Sequence, residues 1–333
     1  IAVVKANGYG HGDREAARAA REGGAGRLAV ATLAEARRLQ GLCPRRRVVV
    51  LGGLFPGSAR EAVETGAAVV CSSSEMAHAL AREAEGGWSL PVHLKVDTGM
   101  GRFGCAPHEA PEIAALIARS TGLELAGTMT HFASAGTDES FTRAQFGLFT
   151  EVCRDLGLPP GTRHACNSAA ARRFPEMALD AVRCGIALYG CEWPGLKPAL
   201  SLRARVLLVK RLPAGASVGY GRTWRAGSPA TVALIGAGYA DGVHRARSNL
   251  GWAFVKGRRA AVVGAVSMDT LALDVTDVPE VRAGDVATLI GEDSGHLVSA
   301  EEVADWSGTI SYEVLTSLGA RVARVYRGQG AAE

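Results

Sequence analysis

Short β-branched runs alternate with Ala-, Arg- and Glu-rich stretches eight times before Gly190, and that rhythm leaves few folds open. The runs are Ile1–Lys5, Leu28–Thr32, Arg47–Gly52, Ala67–Cys71, Val92–Asp97, Gly127–His131, Arg163–Asn167 and Ala181–Gly185. Between them lie stretches of helical period, among them Asp13–Glu22, Leu33–Gln40, Ser58–Glu64, Ser74–Glu85, Ala110–Arg119 and Ser140–Leu156. Strands alternating with helices imply βαβ units and a parallel sheet. Eight of them predict an α/β fold of the (β/α)8 TIM-barrel type rather than an open doubly wound sheet.

After Gly190 the texture changes. Leu200–Leu212, Ser217–Thr223, Ala230–Gly236, Trp252–Val255, Ala260–Val266, Thr270–Val275 and Asp285–Ile290 read as strands separated by Gly and Pro. Ser299-Ala-Glu-Glu302 reads as a capping box opening a short helix, and Ser311–Leu318 as another. The 333 residues suit two domains. The expected division is a barrel over 1–195 and a mainly β domain over 196–333, split near Pro194 and Pro198. Strand eight runs straight into the β domain, so the barrel's eighth helix is expected ahead of strand one. Roughly 30 further residues are therefore expected before Ile1 in the natural chain.

Composition removes several function classes. Apolar residues make up 47% and charged residues 21%, which argues against disorder. No apolar run approaches the ~20 residues that cross a bilayer, and Ile1–Gly12 lacks a signal-peptide layout. The net charge is +4, and its densest run, Arg45–Arg47, reads as a solvated loop before a strand rather than a nucleic-acid patch. Seven cysteines, an odd number with no CxxC pair, argue against a zinc site or a disulfide framework. Free thiols in a reducing cytoplasm fit them better, so no membrane, nucleic-acid or metal partner is expected.

Only five of 37 basic residues are lysines: Lys5, Lys95, Lys197, Lys210 and Lys256. A chain that uses Arg for plain positive charge invites a chemical reason for a Lys inside an apolar strand, because Lys can act as a nucleophile. Barrel active sites lie at the C-terminal strand ends. Those positions hold Lys5 and Tyr9, Lys95 and Arg102, His131, Asn167 and Ser168, and Arg183, Gly185 and Ile186. The ends of strands seven and eight are where barrels commonly hold a phosphate. A phosphorylated ligand facing a strand-end Lys points to pyridoxal phosphate on a Schiff base.

The segment Ala2-Val-Val-Lys5-Ala-Asn-Gly-Tyr9-Gly-His-Gly12 closely resembles the cofactor-lysine signature of the alanine racemases. In family order follow His93-Leu-Lys95-Val-Asp-Thr-Gly-Met-Gly-Arg102, Thr130-His131-Phe, His164-Ala-Cys-Asn-Ser168-Ala and Arg183-Cys-Gly-Ile-Ala-Leu-Tyr-Gly190. Then come Gly238-Tyr239-Ala-Asp-Gly242, Val266-Ser-Met268-Asp269 and Ile310-Ser-Tyr312-Glu. The resemblance spans nearly the whole chain.

It implies a barrel, a β domain and a head-to-tail homodimer with shared active sites, acting on alanine and supplying D-alanine for peptidoglycan. Lys5 would hold pyridoxal 5'-phosphate as an aldimine and serve one face of the substrate α-carbon. Tyr239 from the partner subunit would serve the other. A tyrosine titrates near ~10 and needs help to act as a base, which His131 and Arg183 would supply. Arg183 would also meet the pyridine nitrogen without giving up its proton. Tyr9, Ser168, Gly185, Ile186 and Tyr312 would bind the phosphate. Arg102 would orient the phenolic oxygen and the substrate carboxylate, with a backbone NH from Met268 of the partner subunit. Lys95 matches a lysine often carbamylated in the family, Tyr220 a tyrosine near the entrance, and Asp269 a position lining the entrance or the dimer contact.

Plainer readings stand beside these. Lys5 could cap a strand, Lys95 could pair with Asp97, His131 could be a core histidine, and Tyr239 a turn residue. Gly8, Gly10 and Gly12 do not have dinucleotide-loop spacing. The alternatives are a serine or broad-specificity racemase of the same fold, a barrel decarboxylase, a cofactor-binding protein without turnover, or a poorly folding fragment.

Overall fold

The structure, a computed structural model, describes residues 1–84 and 89–328. Glu85, the last residue of one expected helix, and residues 329–333 at the end of the expected β domain lie outside them. The chain divides into two compact units, 1–188 and 189–333.

Among the described residues, the first unit holds seven strands in chain order: β1 (Ala2–Val3), β2 (Leu28–Val30), β3 (Val48–Val50), β4 (Ala68–Cys71), β5 (Leu90–Lys95), β6 (Leu123–Met129) and β7 (Thr162–His164). Each pairs in parallel with the next. The eighth expected strand is absent as a strand. Its segment makes one parallel bridge, Cys184 to Ala2. Cys184 N donates to Ile1 O (3.1 Å), Val3 N donates to Cys184 O (2.8 Å), and Arg183 N donates to Cys166 O (2.9 Å). The segment thus touches both edges of the curled sheet and closes the barrel. Its ladder stays short because β1 is only two residues long, the chain turning away at Lys5.

Lys5–Tyr9 forms a turn, α1. The helices that follow are α2 (Asp13–Glu22), α3 (Leu33–Arg38), α4 (Ala59–Thr65), α5 (Ser74–Ala84), α6 (Ala110–Arg119), α7 (Glu139–Asp155) and α8 (Ser168–Arg173). Strand side chains alternate between two faces. One set (Val30, Val50, Val69, Val92, Leu94) joins Ala36, Leu80, Ile113 and Ile117 of the helices in a single apolar core. Burying each large aliphatic contributes about 1.5–3 kcal/mol. The alternate set points into the lumen: Val3, Ala29, Val49 and Val70 on β1–β4, but His93 and Lys95 on β5. Barrel lumens are ordinarily filled with branched apolar layers, so buried polar groups on one side of this one mark the site.

The second unit is mainly β. Its strands are β8 (Leu202–Leu212), β9 (Ser217–Val218), β10 (Trp224–Arg225), β11 (Ala230–Ile235), β12 (Trp252–Val255), β13 (Arg258–Val263), β14 (Leu271–Asp274), β15 (Val286–Asp293) and β16 (His296–Val298). The large sheet runs β12-β13-β14-β11-β8-β15-β16, all antiparallel, and a further β12–β15 pairing closes six strands into a ring. Closure leaves fewer open edges. The expected strand Ser217–Thr223 breaks at Gly219 and Gly221, whose φ of 75° and 70° lie in the left-handed region. The unexpected β16 follows a tight turn at Ser294-Gly295, also both left-handed, which suits a hairpin. Ser299 caps α9 (Ala300–Ser307): its Oγ accepts from Glu302 N (3.1 Å), while Glu302 Oε2 accepts from Ser299 N (3.0 Å). Helix α10 (Ser311–Thr316) follows.

Candidate active site

Lys5 does not end a strand as the sequence predicts; it opens a strained turn. Ala6, Asn7, Gly8 and Tyr9 have φ between 51° and 60°. Three of them carry side chains, and each such residue costs about 1–2 kcal/mol in this region. The surroundings hold the turn. Glu35 Oε1 accepts from Ala6 N (2.7 Å) and its Oε2 from Ala31 N (2.7 Å), while Asn7 Oδ1 accepts from Asp13 N (3.1 Å). At Gly8 an added Cβ would lie 2.9 Å from Ala16 Cβ. Lys5 is half-buried. Burial, then the charge of Arg102, hold its amine below the ordinary lysine range.

Arg183 is buried and has no carboxylate partner among the described residues. Its Nη1 donates to His164 Nδ1 (2.8 Å) and His164 O (2.7 Å). Its Nη2 donates to Thr130 O (2.7 Å), Ala165 O (2.8 Å) and His131 Nδ1 (3.0 Å). Both Nη groups are therefore taken by protein acceptors, and Nε–H has no protein partner among the described residues. Burial brings Arg183 down only to about 10, so it stays a cation at neutral pH. Burial first, and the Arg183 charge second, push His131 well below the imidazole range. The Arg102, Lys95 and Lys5 charges add to this, so these four cations gather around one imidazole.

Lys95 is buried, with Nζ 5.4 Å from the centre of the Phe103 ring. Burial, followed by Arg102 and Arg183, lowers it to about 8. Asp97 is not its ion-pair partner: Oδ1 accepts from Gly99 N (2.9 Å), Met100 N (2.8 Å) and Gly101 N (3.1 Å), shaping the loop that presents the exposed Arg102.

Four expected phosphate ligands meet. Ser168 Oγ accepts from Gly185 N (3.0 Å) and Ala187 N (3.4 Å), and Ile186 is buried beside them. A Cβ on Gly185 would lie 2.4 Å from the Tyr9 hydroxyl, so only glycine lets backbone and phenol come together. The Tyr9 and Ser168 hydroxyls thus gather at the backbone N–H groups of Gly185 and Ala187, which rest on Ser168 Oγ here and are groups of the kind that bind a phosphate. An amine of suppressed basicity, a phosphate cup and a spare guanidinium N–H fit pyridoxal phosphate. Among the described residues, no cluster of His, Cys, Asp and Glu suits a metal ion.

The second unit brings Tyr239, Met268 and Asp269 together. Tyr239 N donates to Ser267 O (3.0 Å) and Ala240 N to Met268 O (3.0 Å). A Cβ on Gly238 would strike both carbonyls at 2.3 Å, which explains the glycine before the tyrosine. Arg321 binds Asp241 through Nε (2.6 Å) and Nη2 (2.9 Å), and Asp269 through Nη2 (2.8 Å). Asp269 is thus half of an ion pair. Tyr220 stands apart in an exposed turn, and Tyr312 is on α10. Burial raises Tyr312, helped by the charge of Glu192.

Sequence reasoning missed Glu35, Gln145 and Arg321, and treated His93 and His164 only as parts of motifs. Gln145 Oε1 accepts from Ala133 N (2.9 Å), and its Nε2 donates to His131 O (3.3 Å). Glu35 alone had a signal, the Thr32–Glu35 capping box. Arg321 is one arginine among many, and nothing local distinguishes it.

Two family descriptions cover the chain: "Alanine racemase, N-terminal domain" matches residues 1–192, and "Alanine racemase, C-terminal domain" matches residues 199–326. The alanine racemase of Sorangium cellulosum is 42% identical over 346 residues, covering 98% of this chain and 90% of that protein. The crystal structure of alanine racemase from D-cycloserine-producing Streptomyces lavendulae superimposes with a TM-score of 0.90 at 37% identity, covering 98% of this chain and 90% of that one. That of Bacillus anthracis, with bound L-Ala-P, gives 0.87 at 35% identity, covering 96% and 86%.

Proposed function

The chain belongs to the alanine racemase family, and we propose that it interconverts L- and D-alanine with pyridoxal phosphate as its cofactor. The observation that carries this reading is the donor set of the barrel: Lys5 with its amine held below the ordinary lysine range, Arg183 with only Nε–H to spare, and the Tyr9–Ser168–Gly185 cup. When bound, pyridoxal phosphate supplies the electron sink that makes the α-proton of an amino acid acidic.

Tyr9, Ser168, Gly185, Ile186 and Tyr312 hold the phosphate. Lys5 would hold the cofactor and would take or give the α-proton on one face. Tyr239 of the partner subunit does so on the other, because inversion needs a proton to leave one face and return on the opposite one. Arg183, with Nε–H as its spare donor, would meet the cofactor's pyridine nitrogen and keep its own proton, since a guanidinium does not readily lose one. That leaves the ring a weak sink and limits side reactions. His131 accepts from Arg183 at Nδ1, so its neutral ring presents Nε2–H as a donor to the tyrosine base. Arg102 and the backbone of Met268 of the partner subunit orient the substrate carboxylate. Lys95 braces Arg102 when carbamylated, and Tyr220 and Asp269 border the entrance.

No described helix is long and apolar enough to cross a membrane. The reading places the enzyme in the cytoplasm as a homodimer with shared sites, supplying D-alanine for peptidoglycan.

The test is an absorbance spectrum with pyridoxal phosphate, followed by D-alanine detection with L-alanine as substrate. A band near ~420 nm that Lys5→Ala removes, together with D-alanine, supports the reading. A folded sample with no band overturns it. A band with racemisation of L-serine but not L-alanine would move the substrate.

A further inference from the structure

Behind Arg183 lies a part of the lumen to which the proposed reaction gives no task. His93 is fully buried on β5, and its Nδ1 lies 2.8 Å from His164 Nε2. The rings meet edge-on, centroids 5.0 Å apart. Hydrogen-bond bookkeeping fixes every proton along this row. Arg183 can only donate, so Nδ1 of His164 and of His131 both accept. A neutral His164 therefore carries its proton on Nε2 and donates it to His93 Nδ1. His93 must then carry its own proton on Nε2, and that buried N–H has no partner among the described residues.

An orphaned N–H in a dry core destabilises, and an apolar side chain would avoid it. The residue that creates it is nonetheless accommodated by a neighbour. A Cβ at Gly127, paired with His93 across β5 and β6, would lie 2.4 Å from His93 Nδ1, the accepting atom itself. The cationic side chains facing these rings, Arg27, Lys5, Lys95, Arg102 and Arg183, all oppose a charged imidazole. Local breaks in packing rules of this kind collect at functional sites.

We propose that His93 is a positioning residue: by accepting from His164 it locks that ring in one tautomer and orientation, and so aims the free Nε–H of Arg183. The inference rests on the reading of Arg183 as the residue facing the cofactor ring. Without an acceptor at His93, His164 Nε2–H would be orphaned. The ring would then turn over or shift its proton, and Nη1 of Arg183 would lose one of its two fixed acceptors. The guanidinium plane would no longer be set.

Two measurements test this on the full chain with pyridoxal phosphate added. In histidine-labelled protein, 15N spectra should show His93, His131 and His164 neutral and protonated on Nε2. His93→Leu should scatter the His164 signal between forms and shift the cofactor absorbance. It should also lower kcat about ten- to thirtyfold with KM changed less than about twofold, whereas His93→Asn, which keeps an acceptor oxygen near the Nδ1 position, should stay within about threefold of the parent. A His164 protonated on Nδ1 or on both nitrogens in the parent protein would overturn the proposal. So would a folded His93→Leu variant with parental kcat and absorbance, or a folded His93→Asn variant as slow as His93→Leu. The spectra decide the tautomer whether or not the protein racemises alanine, so failure here is distinguishable from failure of the proposed reaction.

Discussion

In the barrel, Lys95 and Arg183 sit buried and His131 half-buried in a lumen where Arg183 alone makes five hydrogen bonds. In the β unit, Tyr239 and Met268 are 43% and 52% exposed, and Tyr220 is 75% exposed. The barrel orients its chemistry through dry polar contacts. The β unit orients its own through backbone crossings at Ser267 and Met268 and through Arg321. Buried polar groups are costly to disturb, while exposed ones are free to change without loss of fold. Changes in the lumen should therefore damage stability and chemistry together, and changes in the β unit should separate them.

The largest effect is expected at Lys5. Lys5→Ala should remove the cofactor band and lower racemisation by about a thousandfold or more, as expected when a covalent anchor that also moves a proton is lost. Residual activity within tenfold of the parent would break the barrel side of the comparison. Tyr239→Phe should lower kcat by about 10²–10⁴-fold, with an unchanged melting temperature because the side chain is exposed. A matching loss of stability would show that the β unit holds its site as the barrel does. Arg183→Leu strands two imidazole acceptors and three carbonyls. Chemical denaturation should show the barrel weakened by about 3 kcal/mol or more.

The imidazoles sharpen the same contrast through pH. Burial pushes His93 down to about 3 and holds His131 and His164 low as well. Unfolded histidines take up protons below about 6.5 while these stay neutral, so the unfolded chain binds more protons there. Barrel stability is thus complete above that pH and falls as the solution is acidified toward 3, by about 1.4 kcal/mol per pH unit for each such ring. Urea titrations at several pH values read this slope, and His93→Asn should reduce it by about one proton. The smallest effect is expected in the β unit, where Ser299→Ala removes a helix cap and should cost about 1 kcal/mol without altering kcat.

The sequence made the alternation of the barrel legible, because βαβ spacing is periodic and local. Helix α6 matches the expected span at both ends. A turn after strand one was legible within Ile1–Gly12, but its start at Lys5 was not: Ala2–Lys5 is apolar enough to read as strand, and the left-handed run is held by Asn7 within it and by Glu35 from a distance. The eighth strand failed for a related reason, since a ladder needs a partner, and β1 ends too soon. Reactive residues at strand ends were legible because their types are rare there. His93 and Gln145 were not, because their roles come from which residue lies across the lumen, information that no local window contains. Asp269 read as lining the entrance or the dimer contact, but its partner Arg321 lies 52 residues further along the sequence.

The central claim is that two different groups serve opposite faces of one carbon. It is tested most directly by running the reaction from L-alanine in D₂O and following α-deuterium in both enantiomers at early times. Lys5 and Tyr239 each take up solvent deuterium between turnovers, and the group that removes the substrate proton can return it only to the face it left, so the account predicts deuterium in the D-alanine formed while the remaining L-alanine stays protiated at early times. Product that retains the substrate's own proton would mean that one group moves it between faces, and would contradict the account.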